Sequence, residues 1–257
     1  MLNNLLKKLG LTRRIVPSID ESLQIQMFSS AGLDWGKGCV IASQTLARAG
    51  LLRTDPSNHY ELFAAISEVC SPRSVLEIGT HKGVFTSFLA ALWPNAKIVT
   101  YELPSKKDLP VDLASESDIS RHYVPHFESD AEHRDSLLAK FVNIELRLQD
   151  SATLMNLKET FDVAWIDGDH RFPLVAFDIA NAVRLCRSDG WICVDDIRPV
   201  ALKASNEMMG STEGHETVRR IAAAGLANLY LVLKRGQNVR SDHNLNHQKH
   251  LAILRTP

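Results

Sequence analysis

The chain has 257 residues, 45% of them hydrophobic and 23% charged, enough to bury one substantial core. Lys and Arg number 29 against 30 Asp and Glu, so no positive field draws the chain to nucleic acid or an anionic membrane; a small neutral or mixed-charge partner fits better. The four cysteines, Cys39, Cys70, Cys186 and Cys193, form no C-x-x-C pair, which argues for buried thiols in the cytoplasm rather than a disulfide framework or a zinc site.

At the N-terminus, Leu2, Leu5, Leu6 and Leu9 beside Lys7 and Lys8 read as a short amphipathic packing or dimerisation helix. It lacks the apolar run of a signal peptide and the apolar area for membrane attachment. Between about 11 and 56, Gly32, Gly36, Gly38 and Gly50 interrupt any long period. Residues 1–56 are therefore expected to form an N-terminal cap, and 57–257 the main domain. Trp35 in the cap is a packing anchor or a pocket wall. Ser57 or Asn58 caps a helix through about Val69, with Leu62, Phe63, Ile66 and Val69 on one face.

Residues 74–86 organise the rest. Val75, Leu76 and Ile78 suit a strand buried on both faces; after Gly79 the period changes, and Val84, Phe85, Phe88, Leu89 and Leu92 mark a helix. Gly79 and Gly83 bracket a turn whose backbone can pass close to a ligand. Glu77, in the strand before the turn, would repel a pyrophosphate and attract an ammonium or sulfonium. A second strand, 97–102, ends in Glu102, placed at the sheet rim to accept from both hydroxyls of a ribose.

Residues 103–128 carry Pro104, Pro110 and Pro125 in a polar composition and read as an inserted loop, with His122, Tyr123, His126 and Phe127 as candidate substrate contacts. A helical pattern follows over 131–141, then a third strand over 144–149 and the pair Asp150-Ser151. The fourth strand runs into Asp167, with Asp169 and His170 just beyond it. After a helix over 173–186, the turn Asp189-Gly190 opens a fifth strand, 191–194, ending in Asp195-Asp196. A loop over 198–214, a helix over 216–224 and two closing strands, 229–234 and 251–254, complete the chain. The polar segment between those strands, with His243, His247 and His250, reads as a solvated hairpin loop rather than a metal site. The fold class is α/β: a Rossmann-like, doubly wound, seven-stranded, mostly parallel sheet with an antiparallel C-terminal strand.

In such a sheet Asp167, Asp195 and Asp196 converge on one rim. Uncompensated carboxylates take up protons or bind a cation, and an oxygen-only set suits Mg2+ or a similar divalent ion; the alternative is that the pair caps a loop and Asp167 merely ends a strand. His170, with an ordinary pKa near 6.5, could take a proton there.

The stretch Leu76-Glu77-Ile78-Gly79-Thr80-His81-Lys82-Gly83 resembles motif I of class I S-adenosylmethionine-dependent methyltransferases. From Tyr60 to Ile197 the arrangement resembles metal-dependent O-methyltransferases of the catechol type and of the antibiotic-sugar, cephalosporin hydroxylase-like branch. That resemblance implies cofactor contacts from Glu77, Gly79, Thr80, Gly83, Glu102, Asp150, Ser151 and Asp167, with adenine beside Asp150-Ser151. It implies a metal on Asp167, Asp195 and Asp196, and a base at Asp169 or His170. Asp-Asp after the fifth strand, where the catechol type has Asp-Asn, points slightly toward a saccharide or natural-product hydroxyl. The expected activity is methyl transfer to a hydroxyl of a small molecule or saccharide, with a homo-oligomer left open. A hydroxylase-like enzyme and a non-catalytic cofactor-binding module are the rivals; a nicotinamide-dependent reductase ranks third for want of the G-x-G start.

Overall fold

The computed structural model describes residues 21–53, 55–104, 127–199, 212–234 and 248–257. The N-terminal amphipathic segment, His122, Tyr123, His126, His243 and His247 lie outside the described residues.

The strands are β1 (Ser74–Ile78), β2 (Lys97–Glu102), β3 (Ile144–Leu148), β4 (Phe161–Ile166), β5 (Cys186–Ile197), β6 (Asn228–Leu233) and β7 (His250–Arg255). They form one seven-stranded sheet in the order β3-β2-β1-β4-β5-β7-β6. The first five strands are parallel, and β7 pairs antiparallel with both β5 and β6. This is the doubly wound α/β sheet expected from the periodicity.

Alternation along the strands builds two cores, one on each face of the sheet. Val75, Val163, Trp165, Trp191, Cys193, Leu251 and Ile253 face one side. Leu76, Ile78, Ala164, Ile166, Ile192, Val194, Ala252 and Leu254 face the other. The first side is covered by α1 (Glu21–Ser30), α2 (Trp35–Ala49), α3 (His59–Ser67) and α4 (Val84–Leu92), through residues such as Phe28, Phe63 and Phe88. Helices α6 (Leu174–Leu185) and α7 (Thr212–Ala223) cover the second through Val175, Ile179, Ala182, Leu185 and Val218. Helix α5 (Phe127–Leu138) precedes β3.

The N-terminal region differs from the expectation, because glycines that looked like breakers sit inside a helix. A Cβ on Gly38 would lie 2.5 Å from the carbonyl oxygen of Glu61 and 3.1 Å from the Cβ of Ala65, so this glycine lets α2 close on α3. Asp34 caps α2 by accepting from Lys37 N at 3.0 Å, and Gly50 ends it at φ 64°. Trp35 is the packing anchor, edge-on to Phe28 with ring centroids 4.9 Å apart. Asn58 precedes α3 but its amide donates to Leu233 O at 2.9 Å, tying the helix to the end of β6 instead of capping it.

Two further boundaries move. Strand β5 begins at Cys186 and not at Trp191: Cys186 pairs with Phe161, and the register resumes at Val163–Trp191 after an irregularity that includes Asp189 at φ 59°. His250 is no loop residue. It opens β7, is buried opposite Leu233, and meets Gln248 O at 3.0 Å through Nδ1; burial pushes its pKa down to about 4.

Candidate active site

Register decides which side chains meet at the C-terminal rim. Glu77 pairs with Thr100 across β1 and β2, so the Thr100 hydroxyl reaches Glu77 Oε2 at 2.6 Å. Thr86, one turn into α4, donates to the same oxygen at 2.5 Å, and Thr80 shares a 2.6 Å hydrogen bond with Thr100. Glu77 is buried, and burial raises its carboxyl to about 7 against the lowering effect of the two hydroxyls.

The turn after β1 holds Gly79 at φ 97°, His81 at φ 48° and Gly83 at φ 72°. Gly79 is required by contact as well as by angle, since a Cβ there would stand 2.2 Å from Asp167 O. Gly83 serves packing too: its Cβ would meet Leu138 at 2.9 Å and Arg134 at 3.1 Å on α5. Gly83 is also the N-cap of α4 and has no side chain to cap the first turn, which faces a cavity.

That cavity has a volume of about 370 Å3. Of the residues singled out in the sequence, Glu77, Gly79, Thr80, Gly83, Asp167 and Asp195 line it. Asp55, His59, Tyr60, Phe85 and Trp165 also line it, and the sequence did not single these out as site residues. His59 sits in an aromatic nest, 4.4 Å from the Phe85 ring and 5.7 Å from the Trp165 ring. Arg53 shapes this wall by bonding both oxygens of Glu61, at 2.6 and 2.8 Å, and the carbonyls of Asp55 and Ser57. Nothing in the local sequence distinguishes His59 from an ordinary first-turn residue.

Other expected cofactor residues lie outside this lining. Glu102 Oε2 accepts from His81 N at 2.6 Å and Oε1 from Leu103 N at 3.2 Å, so the carboxylate braces the glycine turn from the end of β2. Asp150 accepts from Ala152 N at 2.8 Å as N-cap of the 3-10 helix Ser151–Asn156. Ser151 hydrogen-bonds the buried Asp178, whose carboxyl burial raises to about 7 despite that bond.

The three aspartates do converge. Ile166 pairs with Val194, which sets Asp167 beside Asp195. A bulge between Val194 and Ile197 against β7, with Asp196 at φ 55°, turns the acidic pair. Of the three aspartates expected to hold a metal, Asp195 and Asp196 also meet two lysines of the chain. Lys234 Nζ lies 2.6 Å from Asp195 Oδ2 and 2.6 Å from Asp196 Oδ1, and Lys249 Nζ lies 2.6 Å from Asp196 Oδ2. Among the described residues, no group of His, Cys, Asp or Glu is arranged to hold a metal ion. Three of the six oxygens in this donor set, Asp195 Oδ2 and both of Asp196, are already engaged by ammonium groups, so the set as arranged does not fit one.

Charges follow the geometry. Burial raises the Lys234-facing Asp196, but Lys234, His170 and Lys249 outweigh it and hold the carboxyl down to about 2. For Lys234, burial acts downward, and Asp195 and Asp196 reverse it to hold the ammonium well above its usual value. Asp167 opens toward the cavity, and its carboxyl is raised by its depth in the protein and then by Asp195. His170 Nε2 stands 3.5 Å from Asp167 Oδ1 and 3.6 Å from Asp196 Oδ2, and burial lowers its pKa against the raising effect of Asp196 and Asp195. Asp169 is held by Arg171, which donates from its backbone N at 2.9 Å and its guanidinium at 2.5 Å; these bonds overcome burial and lower the carboxyl. Of the two expected base candidates, His170 faces the acidic cluster and Asp169 is engaged by Arg171.

Comparison with known proteins agrees with the fold. Residues 76–197 match a family described as a methyltransferase domain. Cofactor-bound Rv0187 from MTB is 20% identical, with 85% of this chain and 89% of that one covered at a TM-score of 0.56. An O-methyltransferase from Bacillus cereus in complex with SAH is 19% identical over 92% of this chain and 99% of its own, TM-score 0.53. The O-methyltransferase TomG from Streptomyces achromogenes, involved in tomaymycin synthesis and solved with SAM, is 20% identical over 92% and 96%, TM-score 0.52. No curated protein matches the chain.

Proposed function

We propose that the chain, whose residues 76–197 match a methyltransferase-domain family, is a class I, S-adenosylmethionine-dependent methyltransferase that acts on a hydroxyl of a small molecule or saccharide. The observation that carries this reading is a cavity at the strand rim, bounded by the glycine turn and by the carboxylates Asp55, Glu77, Asp167 and Asp195. Such a lining suits a ligand carrying a sulfonium and an ammonium. S-adenosylmethionine supplies the activated methyl group when bound.

The chain's own residues then have separable tasks. Gly79 and Gly83 let the turn approach the ligand, and Glu102 fixes that turn through His81 N and offers acceptors to the ribose. Asp150 and Ser151 are assigned to the adenine end. His59, Tyr60, Phe85 and Trp165, which line the same cavity, exclude water and set the acceptor against the methyl group. Asp167 faces the cavity and His170 backs it at 3.5 Å, so the acceptor's proton passes to this pair, with neutral His170 as its destination. We place the protein in the cytoplasm, with neither nucleic acid nor membrane as partner. In support, the charge is balanced, the four cysteines are free, and no helix among the described residues is long and apolar enough to cross a membrane.

The test is a calorimetric titration of the purified chain with S-adenosylhomocysteine. Micromolar one-site binding, weakened about tenfold or more by Glu102→Ala, supports the reading. Absence of binding removes the activity and leaves the fold.

A further inference from the structure

The acidic end of β5 carries its own counter-charge. Lys234 and Lys249 sit side by side where β6 and β7 meet, with Lys234 N donating to Lys249 O at 2.9 Å. The bulge at Asp195 and Asp196 faces this same end, because Ile197 pairs with His250. Asp195 Oδ1 accepts from Asp196 N at 2.7 Å, and the other three oxygens of the pair each accept from an ammonium at 2.6 Å. Lys234 is only 5% exposed, so its ammonium has given up water for these two carboxylates.

We propose that Lys234 is the resident cation of this site, standing where Asp167, Asp195 and Asp196 would otherwise gather a divalent ion, and that the chain works without a metal. The second half rests on the methyltransferase reading above. A divalent ion needs carboxylate oxygens at about 2.0–2.6 Å. Here an ammonium nitrogen already stands 2.6 Å from one oxygen of each acid, so an ion would have to bind against a like charge or expel a buried lysine. The consequence for the acceptor is direct. Without an ion to chelate two neighbouring oxygens, a single hydroxyl held by the cavity wall suffices.

The experiment titrates the full chain with Mn2+, followed by electron paramagnetic resonance, and measures S-adenosylhomocysteine affinity with EDTA and with Mg2+. The expected result is no saturable Mn2+ site in the unmodified chain and the same affinity, within about twofold, in both media. Lys234→Met, which keeps the length of the side chain but removes its charge, is expected to gain one Mn2+ site. A micromolar Mn2+ site in the unmodified chain, weakened about tenfold by Asp195→Asn, overturns the proposal. So does a folded Lys234→Met variant that gains no site. If that variant does not fold, the titration of the unmodified chain still decides. Failure of S-adenosylhomocysteine to bind removes the methyltransferase reading alone, since the Mn2+ result bears on the lysine independently.

Discussion

The α-carbon of Gly79 lies against the peptide of Asp167, so that a Cβ on residue 79 would stand 2.2 Å from the Asp167 carbonyl oxygen and 2.7 Å from its carbon. Two strand ends meet here backbone to backbone, with Asp167 N bonded to Ile78 O at 2.8 Å. Gly79→Ala combines this clash with a φ of 97° that alanine adopts at a cost. The expected loss is about 3 kcal/mol or more, read as a lowered denaturation midpoint together with loss of S-adenosylhomocysteine binding. An unaltered melting curve would show that the turn is looser than this contact requires.

Burial raises Glu77 from 4.5 to about 7, so between those values the folded chain holds a proton that the unfolded chain has released. Its contribution is full below about pH 4.5 and is lost as pH rises through about 7. Across that window stability falls by up to roughly 3 kcal/mol on this account. Glu77→Gln removes the dependence, so urea unfolding at about pH 5 and about pH 8 should show the variant gaining relative to the parent at the higher pH. Equal differences at both would contradict the shift.

The same carboxyl couples to the ligand. A sulfonium or ammonium near Glu77 favours its ionised form, so binding S-adenosylmethionine near neutral pH should release a proton. Calorimetry in buffers of different ionisation enthalpy measures that release, and Glu77→Gln should abolish it.

His170 and Asp169 are neighbours with different surroundings. His170 faces Asp167 and Asp196, whereas Asp169 is spent on Arg171. With a panel of phenols and glycosides assayed by S-adenosylhomocysteine release, His170→Ala should lower turnover by about 100-fold or more while cofactor affinity holds. Asp169→Asn should cost less, through a loosened Arg171. The reverse order would move the base to Asp169.

Gly36 and Gly38 separate the two roles of glycine in one helix. Gly38→Ala drives a Cβ to within 2.5 Å of Glu61 O and should cost about 1–3 kcal/mol, whereas at Gly36 the nearest atom is Asp34 Oδ1 at 3.4 Å. Gly36→Ala should therefore leave stability unchanged or raise it by about 0.5–1 kcal/mol. Urea midpoints for the two variants give the comparison.

What the sequence determined by itself is the local grammar of the rim. Strand β1, the glycine turn and α4 were legible because the apolar period changes within a few residues of Gly79 and Gly83. Asp167, Asp195 and Asp196 were legible as a group because parallel strands present their ends on one side. The tertiary structure decided what those carboxylates face. Lys234 ends an apolar run on a strand parallel to β5, and the same strand-end rule could have found it. Its partnership with Asp195 and Asp196, however, follows from the β5 bulge and the β6–β7 pairing, which no local pattern encodes. His59 lines the cavity from the start of α3, and α3 packs against α2 at Gly38, a glycine that reads in sequence as a break. Periodicity records which face of an element is buried; register and close backbone approach between distant segments set which charges meet.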